Sequence, residues 1–427
     1  MKRYSLLFNS LFSIAARFVG VGLNFLLRIV ITRNLPLSEA GIIFLLMTFI
    51  PGVALFSRIG LEQLLVKEVA SADQNDKAFH AAYLKNSYKI ALIVSLIIMA
   101  LWLLSTPLLQ AYFFHEKISS TQLMWAGVSL FFFNLMIINT FYLKAIKRTI
   151  SSVLMQNALP AASFLILIAI FWQDFNQDQG YITLYTISLV IAGCLSVWIT
   201  APHCDYSLAT PTNIPSLKVM LKKSLPLAPI SFFSFMMLWA DTLMVAFFLD
   251  TDQVALFSTA ATISFVSLFF LGALDATIYP RLLNIAKHKP QRLKAFFWQA
   301  TGLVIGILFV VTALMAAFSS LILSAFGQEY LAAQWSLMIL LVAQFLRASS
   351  LTFSFMFIIR EKVSYLNVIL VLALLLNLLS NTFLIPEYGM KGAAIATLIA
   401  NGFLAVAVIL MFIFKRLSRF SDTTTEG

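Results

Sequence analysis

The chain has 427 residues, 61% of them hydrophobic and only 11% charged, and its 29 Lys and Arg against 18 Asp and Glu give a formal net charge of +11. Soluble domains run at about 45–50% apolar and about 25% charged, so this composition excludes an ordinary cytosolic enzyme and a disordered chain. Two cysteines, Cys194 in an apolar run and Cys204 in a polar one, offer no disulfide framework. The chain reads as an all-α integral membrane protein.

Crossing the hydrocarbon core as helix takes about 20 mostly apolar residues. On that ruler the first half holds spans at 8–32, 40–58, 88–113, 122–143, 152–172 and 181–201. The second half holds spans at 225–249, 254–279, 296–323, 335–359, 364–385 and 392–414. The first is too long for a secretory signal peptide, carries Arg17 and Arg28, and lacks a small-residue cleavage site. It is expected to remain in the mature protein.

Basic residues set the orientation, because segments on the cytoplasmic side carry an excess of Lys and Arg. With the N-terminus inside, only Arg33, Lys117 and Lys391 fall on outer segments, and Arg17, Arg28 and Arg347 lie within spans. All other Lys and Arg fall on inner segments, with the boundary residues Arg58 and Lys89 counted as inner, so both termini are expected to be cytoplasmic. The basic surplus is then a topology signal, and a nucleic-acid partner is unnecessary. Outer segments such as 173–180 and 250–253 are too short for a folded domain.

The longest polar stretches, 59–87 and 202–224, are inner ones. In the first, Leu61, Leu64, Leu65, Val69 and Ala72 oppose Glu62, Lys67, Glu68 and Asp73, a pattern that predicts an interfacial amphipathic helix. The second, with Pro202, Pro211 and Pro215, predicts a linker between halves. This gives a six-helix lobe over 1–201, a cytoplasmic linker over 202–224, a second six-helix lobe over 225–414 and a tail over 415–427. Six spans per half make the halves parallel repeats about the membrane normal.

Charge inside a membrane is costly, from about 2.5 kcal/mol upward at mid-bilayer, and usually faces a cavity or a partner. Arg17, Asn24 and Arg28 are spaced at i, i+7 and i+11, which puts Asn24 and Arg28 each within about 20° of Arg17 on one face of the first span. Arg58 marks the inner end of the second span, and Arg347 lies midway along the tenth. Together they form a candidate cationic, substrate-binding track. Arginine suits a diphosphate, because its planar fork donates two parallel hydrogen bonds and keeps its charge in apolar surroundings. Snorkelling to the interface is the competing role for Arg28 and Arg58, and pairing with an acid is the competing role for Arg347.

Asp241 in the seventh span and Asp275 in the eighth are the acidic candidates for ion coupling, with a fixed counter-ion role as the alternative. Ser234 precedes Asp241 by seven residues on the same face. His80, His115, His203 and His288 fall in loops or at span ends, where solvation is expected, and no metal-ligand spacing is present. Pro51, Pro160, Pro226 and Pro229 interrupt or open spans, as hinges or as simple kinks. In-span amides, among them Asn134, Asn139, Asn157, Gln344, Asn377 and Asn381, serve either sugar hydroxyls or helix–helix bonds.

Three stretches carry a resemblance. Arg28-Ile-Val-Ile-Thr-Arg-Asn-Leu-Pro-Leu-Ser-Glu-Ala-Gly41 closes the first span and opens the second. Asp241-Thr-Leu-Met-Val245 lies in the seventh span, and Tyr388-Gly-Met-Lys-Gly-Ala-Ala-Ile-Ala-Thr397 enters the last. They resemble the multidrug/oligosaccharidyl-lipid/polysaccharide exporter superfamily, in its O-antigen-type polysaccharide flippase branch, and span order extends the similarity over the whole chain. The resemblance implies a V-shaped pair of six-helix lobes that alternate between inward-open and outward-open states. It also implies a lipid-linked oligosaccharide of the undecaprenyl-diphosphate type as substrate, carried across a bacterial inner membrane for surface polysaccharide or lipopolysaccharide assembly. H⁺ or Na⁺ coupling and a complex with a polysaccharide polymerase belong to the same expectation. No cofactor is expected, and there is no G-x-x-x-x-G-K-[ST] for ATP.

Two other classes compete. A cation-coupled multidrug exporter of the same fold would present carboxylates to its substrate, whereas the first span holds two arginines and no acid. A membrane-embedded glycosyltransferase or polymerase would need a catalytic acid or base on a sizeable loop, and the outer loops are short.

Overall fold

The computed structural model describes residues 2–72, 76–115, 117–175, 179–204 and 216–415, and all regular structure among them is helical. Packing divides the chain into two compact units, Met1–Trp239 and Ala240–Gly427.

In the first unit α1 (Lys2–Asn34) and α2 (Leu37–Arg58) form a corner that turns at Pro36. A second corner, Ile59–Gly60, takes left-handed backbone at both residues (φ 50° and 76°) and leads into α3 (Leu61–Ser71). α3 presents Leu61, Leu64, Leu65 and Val69 to Tyr83, Leu84, Ile138, Tyr142 and Met220. The apolar face expected at the interface is therefore covered by protein. Next come α4 (Lys77–Tyr112) and α5 (Ser120–Ala145), the latter opened by a capping box between Ser119 and Gln122. α4 starts well before residue 88, which carries His80 out of a loop and into its first turn. There it is buried at 1% exposure beside Tyr142, and the expectation of a solvated side chain is corrected.

The fifth span is a pair, α6 (Thr149–Asn157) and α7 (Leu159–Ile170), bent by 46°. Pro160 in the first turn of α7 has no N–H to continue the ladder, and Asn24 of α1 donates to the Asn157 carbonyl at the break (2.7 Å). Gly20 makes that approach possible, since a Cβ there would lie 2.6 Å from Asn157 Cβ. After α8 (Trp172–Phe175) and α9 (Gly180–Thr200), α10 (Leu217–Ser224) buries Met220 in the α3 cluster and pairs Lys223 with Glu68 at 3.1 Å. The seventh span is α11 (Ala228–Phe248). The division between units falls inside it, because its first half packs on α2 and the second corner. A Cβ on Gly60 would meet the Ser224 carbonyl at 2.5 Å and Ala228 N at 2.6 Å, and Phe235 lies against Gly52.

The second unit continues with α12 (Thr251–Ser264) and α13 (Val266–His288), then α14 (Leu293–Ala317) and α15 (Ser319–Phe326). It ends with α16 (Gln334–Ser349), α17 (Leu351–Ile359), α18 (Val363–Tyr388) and α19 (Met390–Phe414). The described residues hold ten helices long and apolar enough to span a membrane, plus the bent α6–α7 pair. The expected span 254–279 is not one helix. It is α12 and α13, interrupted at Phe265 where Ser264 and Ser267 return their hydroxyls to the carbonyls of Ala261 and Ser264 (2.8 and 2.6 Å). The same device separates α16 from α17, with Ser349 and Ser350 bonded to the carbonyls of Leu346 and Arg347 (2.7 and 2.8 Å).

Candidate functional site

Among the described residues, each unit holds a charged side chain inside its helix bundle at the centre of a polar cluster. In the second unit Asp241 of α11 is half-buried. Asn377 and Asn381 stand one turn apart on α18 and both donate to Asp241 Oδ1, at 2.9 and 2.6 Å. Thr397 of α19 donates to Oδ2 at 2.6 Å. Asn381 also donates to Asn377 Oδ1 at 3.2 Å, while its own buried Oδ1 has no hydrogen-bond partner. Three neutral donors thus gather on one carboxylate, with no basic residue among them. The counter-ion role considered for Asp241 finds no arginine among the described residues. As arranged, amide nitrogens and a hydroxyl face the carboxylate, so a proton or a hard cation on Asp241 would have to take the place of these donors. Asp275 lies in α13, and its side chain is outside the described residues.

The cluster of the first unit is built on Arg58, which is 4% exposed. Its Nη1 donates to Asn134 Oδ1 at 2.8 Å, Asn134 Nδ2 donates to Ser95 Oγ at 3.0 Å, and Arg58 Nε faces Glu62 Oε2 at 3.6 Å. Arg58 therefore does not snorkel. The second corner turns α3 back so that Glu62, placed by sequence on the polar side of an interfacial helix, closes over the guanidinium instead. Further inward bonds, Tyr88 to Asn139 and Asn139 to Ser196 (2.9 Å), tie α4, α5 and α9 together.

The three residues expected on one face of α1 meet different surroundings. Arg28 is buried at 5% exposure with its guanidinium 4.3 Å from the Phe44 ring centroid. Asn24 spends its amide on the carbonyls of Gly20 (2.8 Å) and Asn157 (2.7 Å). Arg17 is exposed. Arg347 of α16 is half-buried, and no described residue accepts a hydrogen bond from it or forms an ion pair with it. The alternative of an acidic partner for Arg347 finds no support among the described residues.

Two of the donors to Asp241, Asn377 and Asn381, are among the in-span amides for which the sequence left sugar contact and helix–helix bonding open, and their helical spacing is the usable signal. Thr397 and Glu62 carried no such signal, because their roles depend on which helices pack together. Among the described residues no group of three or more His, Cys, Asp or Glu could hold a metal ion.

Comparison with known proteins settles the family. Residues 6–286 match the family described as "Polysaccharide biosynthesis protein". The chain belongs to that family. A curated relative, the Haloferax volcanii protein named "Probable low-salt glycan biosynthesis flippase Agl15", is 27% identical over 169 residues, which is 37% of this chain and 34% of that protein. The match thus spans about a third of the relative's length. Among solved structures, the lipid II flippase MurJ in an inward closed conformation superposes with a TM-score of 0.73 at 13% identity, covering 97% of this chain and 90% of that one. An inward-facing multidrug resistance MATE transporter gives 0.71 at 16% identity, covering 97% and 100%. At these identities the two structures share the fold. The ten long apolar helices among its described residues make this family member a multi-pass membrane protein, as the sequence composition required.

Proposed function

We propose that this family member flips a lipid-linked oligosaccharide of the undecaprenyl-diphosphate type across a bacterial inner membrane, with both termini cytoplasmic, for surface polysaccharide assembly. The observation that carries the reading is Arg347, a guanidinium within the tenth span that no described side chain neutralises. A cation left unpaired at membrane depth favours an anionic ligand, and a diphosphate is matched by the planar fork. In the first unit, exposed Arg17 is a separate candidate cation for an anionic substrate. Arg28, Arg58 and Asn24, whose side chains are engaged within the first unit, act by holding α1 and α2 in place for it. The names of Agl15 and MurJ, a glycan flippase and a lipid II flippase, agree with this substrate class. The MATE neighbour keeps drug export as the second reading, which the unpaired Arg347 disfavours because it would repel an organic cation.

Coupling to H⁺ or Na⁺ is assigned to Asp241, with Asn377, Asn381 and Thr397 as its donors. Asp275 of α13 is the alternative carrier. A ligand drives such a transporter only by binding its two states unequally. A cation on Asp241 does so by turning three donors away from the carboxylate. A polysaccharide polymerase is the partner that would consume the product.

The test is flipping of a fluorescent lipid-linked diphospho-oligosaccharide in proteoliposomes, read by quenching from outside. Wild-type protein should flip it, Arg347→Ala should not, and Arg347→Lys should restore part of the rate because charge survives without the fork. Wild-type rates in the Arg347→Ala protein would overturn the reading, and efflux of an organic cation dye would replace it with drug export.

A further inference from the structure

The amide of Gln344 lies three residues before Arg347 on α16, so the two side chains share a face, with Cβ atoms about 5–6 Å apart. Gln344 is 3% exposed, and its Oε1 is buried without a hydrogen-bond partner. No described residue bonds its Nε2 either. A buried amide is normally satisfied by protein or by water, so this one is an exception that asks for a ligand. Its neighbours do not supply one. The hydroxyls of Ser349 and Ser350 are spent on the carbonyls of Leu346 and Arg347. α19 brings a further amide to this level: a Cβ on Gly402 would lie 3.7 Å from Leu346 Cδ1, and Asn401 beside it is 5% exposed with no hydrogen bond to a described residue.

These groups define what fits. Arg347 offers up to five N–H donors and no acceptor, while an amide offers both. A bare anion would satisfy Arg347 and leave Gln344 Oε1 without a donor. A neutral sugar would satisfy the amide and leave the guanidinium uncompensated. We propose that the Gln344–Arg347 face of α16 is a specificity site for an acidic sugar, in which Arg347 holds the anionic group and Gln344 accepts a hydrogen bond from a hydroxyl next to it. The proposal rests on the flippase reading and names the part of the headgroup that the second unit reads. Two sources share this chemistry, a carboxylated sugar of the glycan and the sugar phosphate at its lipid link.

The experiment measures binding of four probes to the full chain in nanodiscs: glucuronic acid, glucose 1-phosphate, glucose and inorganic phosphate. Wild-type protein should bind at least one acidic sugar more tightly than both glucose and phosphate. Preference for glucuronic acid assigns the site to a glycan sugar, and preference for glucose 1-phosphate assigns it to the lipid link. Gln344→Leu should weaken that acidic sugar by about tenfold and leave phosphate unchanged, whereas Arg347→Ala should lose both. Replacing an unpartnered buried amide with an apolar side chain of similar size should keep or raise the thermal midpoint. Equal affinity for glucose, an unchanged acidic-sugar affinity in Gln344→Leu, or a clear drop in its midpoint would each overturn the proposal. Flipping of a lipid-linked glycan with unaffected Gln344→Leu would leave the function standing without this site. Acidic-sugar binding with no flipping would leave the site without the function.

Discussion

Asn381 donates to Asp241 Oδ1 at 2.6 Å, linking the eleventh span to the seventh through a neutral amide. With Asn377 and Thr397 the carboxylate accepts three hydrogen bonds and meets no cation among the described residues. That geometry decides what substitutions there should do.

Asp241→Asn puts an amide nitrogen where two amides and a hydroxyl already point their hydrogens. The two amides keep an acceptor, but they lose its charge and Thr397 must turn its hydroxyl wholly to the Ala393 carbonyl, which costs about 1 kcal/mol. Thermal unfolding in detergent should show a lowered midpoint. Flux normalised to folded protein should lose its dependence on the ion gradient, while Asp241→Glu keeps some of it. Full, gradient-sensitive flux in Asp241→Asn would move attention to Asp275.

Arg58 and Glu62 make a buried pair at 3.6 Å, and removing one partner leaves the other charged and desolvated. Arg58→Leu and Glu62→Leu should each lower stability by about 3–5 kcal/mol, and the double variant by much less than their sum. Equilibrium unfolding of the four proteins closes this cycle. Additive effects would show that the two side chains do not depend on each other.

Gly60 is held at φ 76° against the Ser224 carbonyl. Gly60→Ala meets both a disfavoured backbone region and a 2.5 Å contact, so it should cost more than the roughly 1 kcal/mol of a simple glycine effect. Membrane abundance and thermal midpoint should fall together. An unchanged midpoint would mean that the corner relaxes freely.

Topology follows from the placement of Lys and Arg. Reporter fusions after residues 148, 215 and 290 should report cytoplasm, and those after 117, 177, 251 and 388 should report periplasm. A periplasmic signal at 215 would break the six-plus-six order.

The spans were legible because long apolar runs allow little else in a membrane. Their interruptions were less so. Pro160 announced the α6–α7 bend, but the breaks at Phe265 and Ser350 come from serine hydroxyls competing for carbonyls, and serines are equally at home in unbroken spans. Asp241 stood out as a charge in an apolar run. Its partners did not, since an amide in a span is ordinary until the helix facing it is known. Arg58 stood out for the same reason, while the role of Glu62 depended on a left-handed turn at Ile59–Gly60, whose glycine marks a helix end but not where α3 packs after it.

The arm formed by α10 and the first half of α11 has a consequence for dissecting the gene. A cut within 205–215 looks like a natural boundary, yet it would hand the second fragment a segment whose burial sites lie on the first. Met220 belongs in the α3 cluster, Lys223 pairs with Glu68, and Ala228 sits against Gly60. Two co-expressed fragments should therefore find each other through that arm. A chimaera joined there would need both sides of the contact from one parent.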